Sequence, residues 1–216
     1  MSIETDNIKS ALKEARERSK KRNFNQSVEL IINLRDVDVK KPENRIQETV
    51  ELPYAIDKKV GVCVFADGDM ALRARRAGAD LVLESADIEG LMNDKKRQRE
   101  IAKSINSFIA AAPLMPLIGR VFGPILGPRG KMPTPVPPTA NIEELIERHR
   151  RIVRLRARDQ PVIHCRVGTE SMSDDEIAEN IQTVIRRIVR RLRRGIKNIE
   201  SIYVKLTMGP AVKVNL

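Results

Sequence analysis

Residues 60–66, Val60-Gly-Val-Cys-Val-Phe-Ala66, form an unbroken apolar run. No other stretch restricts the fold so tightly. At strand length, with apolar side chains at odd and even positions alike, such a run predicts a strand buried on both faces, as in a parallel sheet covered by helices on each side. The segments that flank it are of another kind. Val28, Leu30, Ile32 and Leu34 alternate with Ser27, Glu29 and Asn33, and Ile202, Val204 and Leu206 alternate with Tyr203 and Lys205. That period of two belongs to strands with one face in a core and one outside. One chain therefore carries two sorts of sheet.

The order of the elements shows where each sort lies. A helix spans residues 3–21, with Ile8, Ala11, Leu12 and Ala15 at helical spacing, and it leads past Phe24 into the first alternating strand. Residues 36–48 read as irregular, and Thr49–Pro53 as a returning strand. The texture changes near Asp57. After the Val60 strand come a helix at 70–77, a strand at 80–83, a helix at 88–92, an apolar strand at 107–111, a short helix at 113–121 and a long loop over 123–138. Asn141 with Glu144 three residues on opens a helix at 142–149. Beyond Arg150 two short strands follow, at 152–157 and 162–167. Ser173 and Glu176 then form a capping box for a long helix striped by Ile177, Ile181, Val184, Ile185, Ile188 and Leu192, with Gly195 read as its C-terminal cap. A strand at 201–206 meets Thr207-Met-Gly-Pro210, where Gly209 permits positive φ and Pro210 withholds an N–H, so a turn is expected. The predicted class is α/β.

Charge narrows the partners. Lys and Arg number 40 against 29 Asp and Glu, for a net charge of +11. A field of that sign attracts polyanions, nucleic acid first and an anionic membrane surface second. No apolar run approaches the ~20 residues of a membrane span, and no signal-peptide core follows Met1. Cys63 and Cys165 each lie in an apolar strand; two such thiols do not make a disulfide framework, and a reducing cytoplasm is expected.

Catalytic readings find little support. Gly130-Lys131 sits in a Gly-Pro-rich loop, but Ile125 stands where a phosphate loop needs glycine, and Met132 where it needs Ser or Thr. No Gly-x-Ser-x-Gly elbow occurs. His164 and Cys165 point to opposite faces of one strand and cannot share a metal, and His164 reads as a satisfied sheet residue. No cofactor is expected. The alternative class is a nucleotide-dependent enzyme on residues 58–151. Arg186, Arg187, Arg190, Arg191, Arg193, Arg194 and Lys197 crowd the long helix and its exit, where they solvate it or contact RNA directly and in either case add to the general field. At Thr207–Pro210, a hydroxyl, a thioether and bare backbone lie side by side, a set that can hydrogen-bond and pack against an unpaired nucleotide.

Thr207-Met-Gly-Pro-Ala-Val-Lys-Val214 resembles the C-terminal signature of the ribosomal protein L-one family of the large-subunit side stalk. Leu126-Gly-Pro-Arg-Gly-Lys-Met-Pro133 resembles a second, separate signature of the same family. The short polar N-terminus and the wording Lys131-Met-Pro-Thr-Pro135 look closer to archaeal members. The resemblance covers essentially the whole chain. It implies a discontinuous α+β RNA-binding domain, residues 1–57 with 152–216, built on a split β-α-β core, and an inserted three-layer Rossmann-like domain, residues 58–151. It implies binding to large-subunit ribosomal RNA, help in releasing deacylated exit-site tRNA, and, in some members, repression of translation on their own messenger RNA. No catalysis is implied, and off the ribosome a monomer is expected. By matching positions, Phe24, Ser27, Glu29, Arg156, Thr169, Ser201, Thr207, Met208, Gly209 and Pro210 are the RNA surface. Bacterial members carry Asp-Lys where this chain has Arg158-Asp159, so no contact is carried over to those two.

Overall fold

The capping box at Ser173 marks the start of the most strongly determined element. Glu176 N–H donates to Ser173 Oγ at 3.3 Å, and Ser173 N–H to Glu176 Oε2 at 3.1 Å, so two N–H groups at the helix start are satisfied. The computed structural model describes residues 4–56 and 60–215. In chain order it has α1 (Thr5–Glu17), β1 (Ser27–Leu34), β2 (Ile46–Glu51), β3 (Val62–Phe65), α2 (Gly68–Arg76), β4 (Leu81–Leu83), α3 (Ser85–Gly90), α4 (Lys95–Ser104) and β5 (Ser107–Ala111). There follow α5 (Met115–Val121), α6 (Gly123–Leu126), β6 (Thr134–Val136), α7 (Ile142–Arg150), β7 (Ile152–Ala157), β8 (Val162–Thr169), α8 (Asp174–Arg191), β9 (Ile199–Leu206) and β10 (Val212–Val214). The fold is α/β, and the chain divides into two compact units, Met1–Lys58 with Arg151–Leu216, and Lys59–Arg150. Asp57 and Lys58, where the sequence reading ends one domain and begins the next, lie outside the described residues.

In the first unit an antiparallel sheet runs in the order β10-β9-β1-β8. β8 and β9, joined through α8, are separated by β1, which is the split β-α-β arrangement. Val28, Leu30, Ile32 and Leu34 of β1 are buried together with Ile8, Leu12, Ile177, Ile181, Val184 and Ile188, so α1 and α8 cover one face of the sheet. Full burial of such a side chain stabilises by about 1.5–3 kcal/mol, and the helix's apolar stripe supplies several. β2 and β7 form a separate antiparallel pair, in which Glu48 sits opposite Leu155 and Gln47 opposite Arg156.

In the second unit β4-β3-β5-β6 are all parallel. Val62, Val64 and Ile109 pack with Met70, Ala74, Ile142 and Ile146 on one face, while Cys63, Phe65 and Phe108 pack with Ile88, Ile118, Phe122 and Leu126 on the other. Phe65 stacks with Phe108 at 5.9 Å between ring centroids. This is the covered parallel sheet that the Val60 run demands.

Three expectations change, and one segment with no assigned element gains one. The span 123–138 is not one loop, because it holds α6 and β6; Pro135 is accommodated because β6 is an edge strand paired on one side only. Residues 95–104 form α4, whose charges mask a narrow buried stripe of Gln98, Ile101 and Ala102. α8 ends at Arg191 with Leu192 as its C-cap, while Gly195, at φ +57°, opens a 3-10 turn over Gly195–Asn198 instead of capping the helix. The returning strand begins earlier, at Ile46.

Candidate nucleic-acid interface

Because α1 and α8 cover one face of the first unit's sheet, strand alternation turns the other face outward. Across that face Glu29 stands opposite Lys205 on β9 and Arg166 on β8, Ile31 opposite Tyr203 and His164, and Asn33 opposite Ser201 and Val162. Asn33 Nδ2 donates to Ser201 Oγ at 2.9 Å, which orients the hydroxyl of a residue that is itself buried. Lys205 Nζ donates to Thr207 O at 3.2 Å. Burial lowers the pKa of the Arg166 guanidinium. The Glu29 carboxylate has no ion pair or side-chain hydrogen bond among the described residues, although cations flank it in both neighbouring strands. It is an acceptor free for a base amino group or a ribose hydroxyl.

At one end of the sheet the turn after β9 is tied to the start of β1. Ser27 N–H donates to Thr207 Oγ1 at 3.1 Å, and Thr207 Oγ1 donates to Ser27 O at 3.2 Å. Met208 N–H donates to the Gln26 side-chain oxygen at 3.1 Å. Asn25 Nδ2 donates to Ser171 Oγ at 2.8 Å, and Ser171 Oγ shares a 2.9 Å hydrogen bond with Thr169 Oγ1. Phe24 and Met208 project from this framework, 51% and 59% exposed, and no other large apolar side chain of the first unit is so exposed among the described residues. A basic chain thus presents an aromatic ring and a thioether beside ordered polar backbone, a platform on which an unstacked base can lie.

Gly209 is not in the left-handed region. It is glycine for a steric reason: a Cβ there would stand 2.0 Å from Ser19 Oγ. Pro210 is exposed beside it.

Arg156 is exposed on β7 and borders an open depression of about 500 Å³ with Arg158, Asp159, Gln160, Val162 and His164. The structure therefore sets Phe24, Met208, Gly209 and Pro210 around one exposed turn, and Glu29 and Ser201 on the adjoining sheet face. Ser27 and Thr169 are buried beneath that turn, where they position its neighbours. His164, expected to be a satisfied sheet residue, is exposed and has no side-chain hydrogen bond among the described residues.

A model of the Ribosomal protein L1p/L10e family matches residues 12–210. The chain belongs to that family. It is 51% identical over 215 residues to the large ribosomal subunit protein uL1 of Pyrococcus abyssi, covering 99% of this chain and 98% of that one. Identity to the protein of the same name from Methanothermobacter thermautotrophicus is 48% over 207 residues, covering 96% and 98%. For that of Archaeoglobus fulgidus it is 45% over 214 residues, covering 99% and 100%. These relatives are archaeal, as the wording of the loop suggests. Membership makes the chain a ribosomal protein, not an enzyme.

The groups that resemble catalytic ones have structural places here. Ser107 Oγ and His149 Nδ1 lie 2.6 Å apart, but both residues are buried between β5 and α7, out of a substrate's reach. Lys131 Nζ donates to Ala102 O at 2.8 Å and Ile105 O at 2.6 Å, closing the end of α4 instead of holding a phosphate. Cys63 and Cys165 are free and buried. Sequence reasoning missed Gln26, Asn33, Ser171 and Arg166 at the interface. Alternation marks Asn33 as outward, but the others acquire a role only from strand pairing and from contacts across the chain.

Proposed function

We propose that this protein is a large-subunit ribosomal component that holds ribosomal RNA at the base of the mobile side stalk. In this reading residues 1–57 with 152–216 are the RNA-binding domain and residues 58–151 are inserted into it. Phe24 and Met208 stack on unpaired bases, Glu29 and Ser201 make hydrogen bonds to them, and Gly209 lets the turn close against Ser19. Arg156 neutralises phosphate, and Ser27, Thr169, Thr207 and Pro210 hold the shape. The observation that carries the reading is the pair of exposed apolar side chains, Phe24 and Met208, set beside the ordered turn in a chain of net charge +11. Work on the ribosome places the protein in the cytoplasm, with no cofactor. The moving stalk assists release of deacylated tRNA from the exit site, and a copy of the RNA element in the protein's own messenger lets the free monomer repress translation.

One binding experiment tests this. The full chain, and a polypeptide joining residues 1–57 to 152–216 through a short glycine-rich linker, are titrated with a structured side-stalk RNA fragment and with unrelated RNA at several salt concentrations. Log affinity should fall with log salt at roughly −0.9 per phosphate neutralised on duplex. Preference for the fragment should persist in both proteins. Equal binding of unrelated RNA by the full chain would refute the specific reading. Loss of preference only in the joined polypeptide would place recognition in residues 58–151.

A further inference from the structure

We infer that the C-terminal half of α8 and the segment just after it carry a second nucleic-acid surface, a ridge of Arg186 and Arg190 on the helix with Arg193 and Lys197 past its end, that takes the phosphate backbone of an RNA duplex. This goes beyond the proposed function and does not depend on it.

Position separates the ridge from the interface described above. The apolar side of α8 faces the sheet, so its exposed arginines point away from the face that bears Glu29 and Ser201. Along the helix axis, Arg190 is about 25 Å from the Ser173 cap at 1.5 Å per residue. That cap follows Thr169, which pairs with Ser27 beside the turn. Screening at physiological salt has a length of about 8 Å. Arg190 therefore cannot assist binding at the turn through its field.

Cations at a helix end have a simpler explanation, but it covers only part of this one. The helix dipole favours positive charge within the last turn, which accounts for Arg190 and Arg191 and not for Arg186 and Arg187. Internal pairing accounts for others. Arg187 and Arg191 pair with Glu48, at 2.6 and 3.4 Å, and Arg194 pairs with Asp36 at 3.0 Å. Ion pairing leaves over Arg186, Arg190, Arg193 and Lys197, of which Arg190 alone also has the dipole. Arg186 donates only to the neutral Gln182, and Arg190 and Lys197 have no side-chain partner among the described residues. Arg193 reaches Glu43 at 3.4 Å but stays 77% exposed. Arg186 and Arg190 are one turn apart, about 6 Å along the axis.

The chemistry selects the partner. Six of the seven cations in this region are arginine, whose planar fork binds phosphate oxygens in pairs, whereas lysine would serve solubility as well. No large apolar side chain is exposed on α8 among the described residues. A helix lying in a membrane surface needs such a face, and a protein partner needs an apolar centre to its contact. A duplex backbone needs neither.

The test uses the full chain and a short RNA duplex lacking any side-stalk sequence. Arg186→Gln with Arg190→Gln should weaken duplex binding and make its salt slope shallower by about 2, roughly one for each phosphate no longer neutralised. Arg186→Lys with Arg190→Lys should lose part of that affinity. Arg76→Gln with Arg99→Gln, an equal loss of exposed charge in the second unit, should bind the duplex like wild type. The ridge variant should keep its preference for the side-stalk fragment. The inference is overturned if the ridge variant binds the duplex like wild type, or no worse than the Arg76/Arg99 variant. It is also overturned if the ridge variant loses only binding to anionic phosphatidylglycerol vesicles, which would make the surface a membrane contact. Failure of fragment discrimination in wild type, with the duplex result intact, would count against the proposed function alone.

Discussion

Gly209→Ala probes the turn most directly, because a single contact decides its effect. The added methyl would lie 2.0 Å from Ser19 Oγ, 3.2 Å from Ser19 Cβ and 3.4 Å from Leu206 Cβ. Ser19 Oγ donates to Ala15 O at 2.6 Å, closing the end of α1, so rotating it away breaks that hydrogen bond at a cost of about 1 kcal/mol. The crowding left at Ser19 Cβ brings the expected destabilisation of Gly209→Ala to about 1–3 kcal/mol. Ser19→Ala alone should cost about 1 kcal/mol, the same hydrogen bond. In the double variant the hydroxyl is already gone, and alanine restricts the unfolded chain, an effect that favours folding by about 0.4–1 kcal/mol. Gly209→Ala should then be nearly neutral, and the four proteins should show a coupling of about 1–3 kcal/mol in urea unfolding. If Gly209→Ala costs the same with and without the Ser19 hydroxyl, the steric account is wrong. RNA affinity measured on the same proteins should follow folding: the double variant, whose added methyl points at residue 19 and not outward, should bind the side-stalk fragment like wild type.

Two further outcomes rest on the same geometry. Thr207→Val removes the hydroxyl that both accepts from Ser27 N–H and donates to Ser27 O, so it should lower stability by about 1–3 kcal/mol, and RNA affinity should fall with the lost turn geometry, as thermal unfolding and fragment titration on one sample would reveal. Burial pushes the Cys165 thiol up to about 12 from an ordinary 9.0 and moves Cys63 in the same direction, so both contribute stability below pH 9 that is lost as pH rises from there toward 12; unfolding midpoints should drop across that window, and a Cys63→Ala, Cys165→Ala variant should show a smaller drop.

Much of the architecture is legible in local pattern. The Val60 run needs only its own composition to demand a sheet covered on both faces, since exposing either side would leave apolar surface in water. The Ser173–Glu176 box and its apolar stripe define α8 within a few residues, because capping and periodicity act inside one segment. What failed locally failed for a nameable reason. β6 carries proline, a poor strand former, and exists because β5 offers it an edge. α4 hides three buried positions among charges that contribute nothing to packing.

The candidate site divides in the same way. The sequence by itself marks Glu29, Ser201 and Lys205 as outward by alternation, and the resemblance attaches Phe24, Met208 and their neighbours to one RNA surface. It also determines that this surface is offered by a strongly cationic chain. Only tertiary structure decides which hydroxyls remain available. Those of Thr207 and Thr169 are already engaged inside the protein, while the carboxylate of Glu29 is not. Only there does Gly209 acquire its reason, a serine 190 positions away in sequence whose Oγ would lie 2.0 Å from an added Cβ. Local pattern fixes the direction a side chain leaves the backbone; what it meets there depends on which segments the shared core of α1, β1, α8 and β9 draws together.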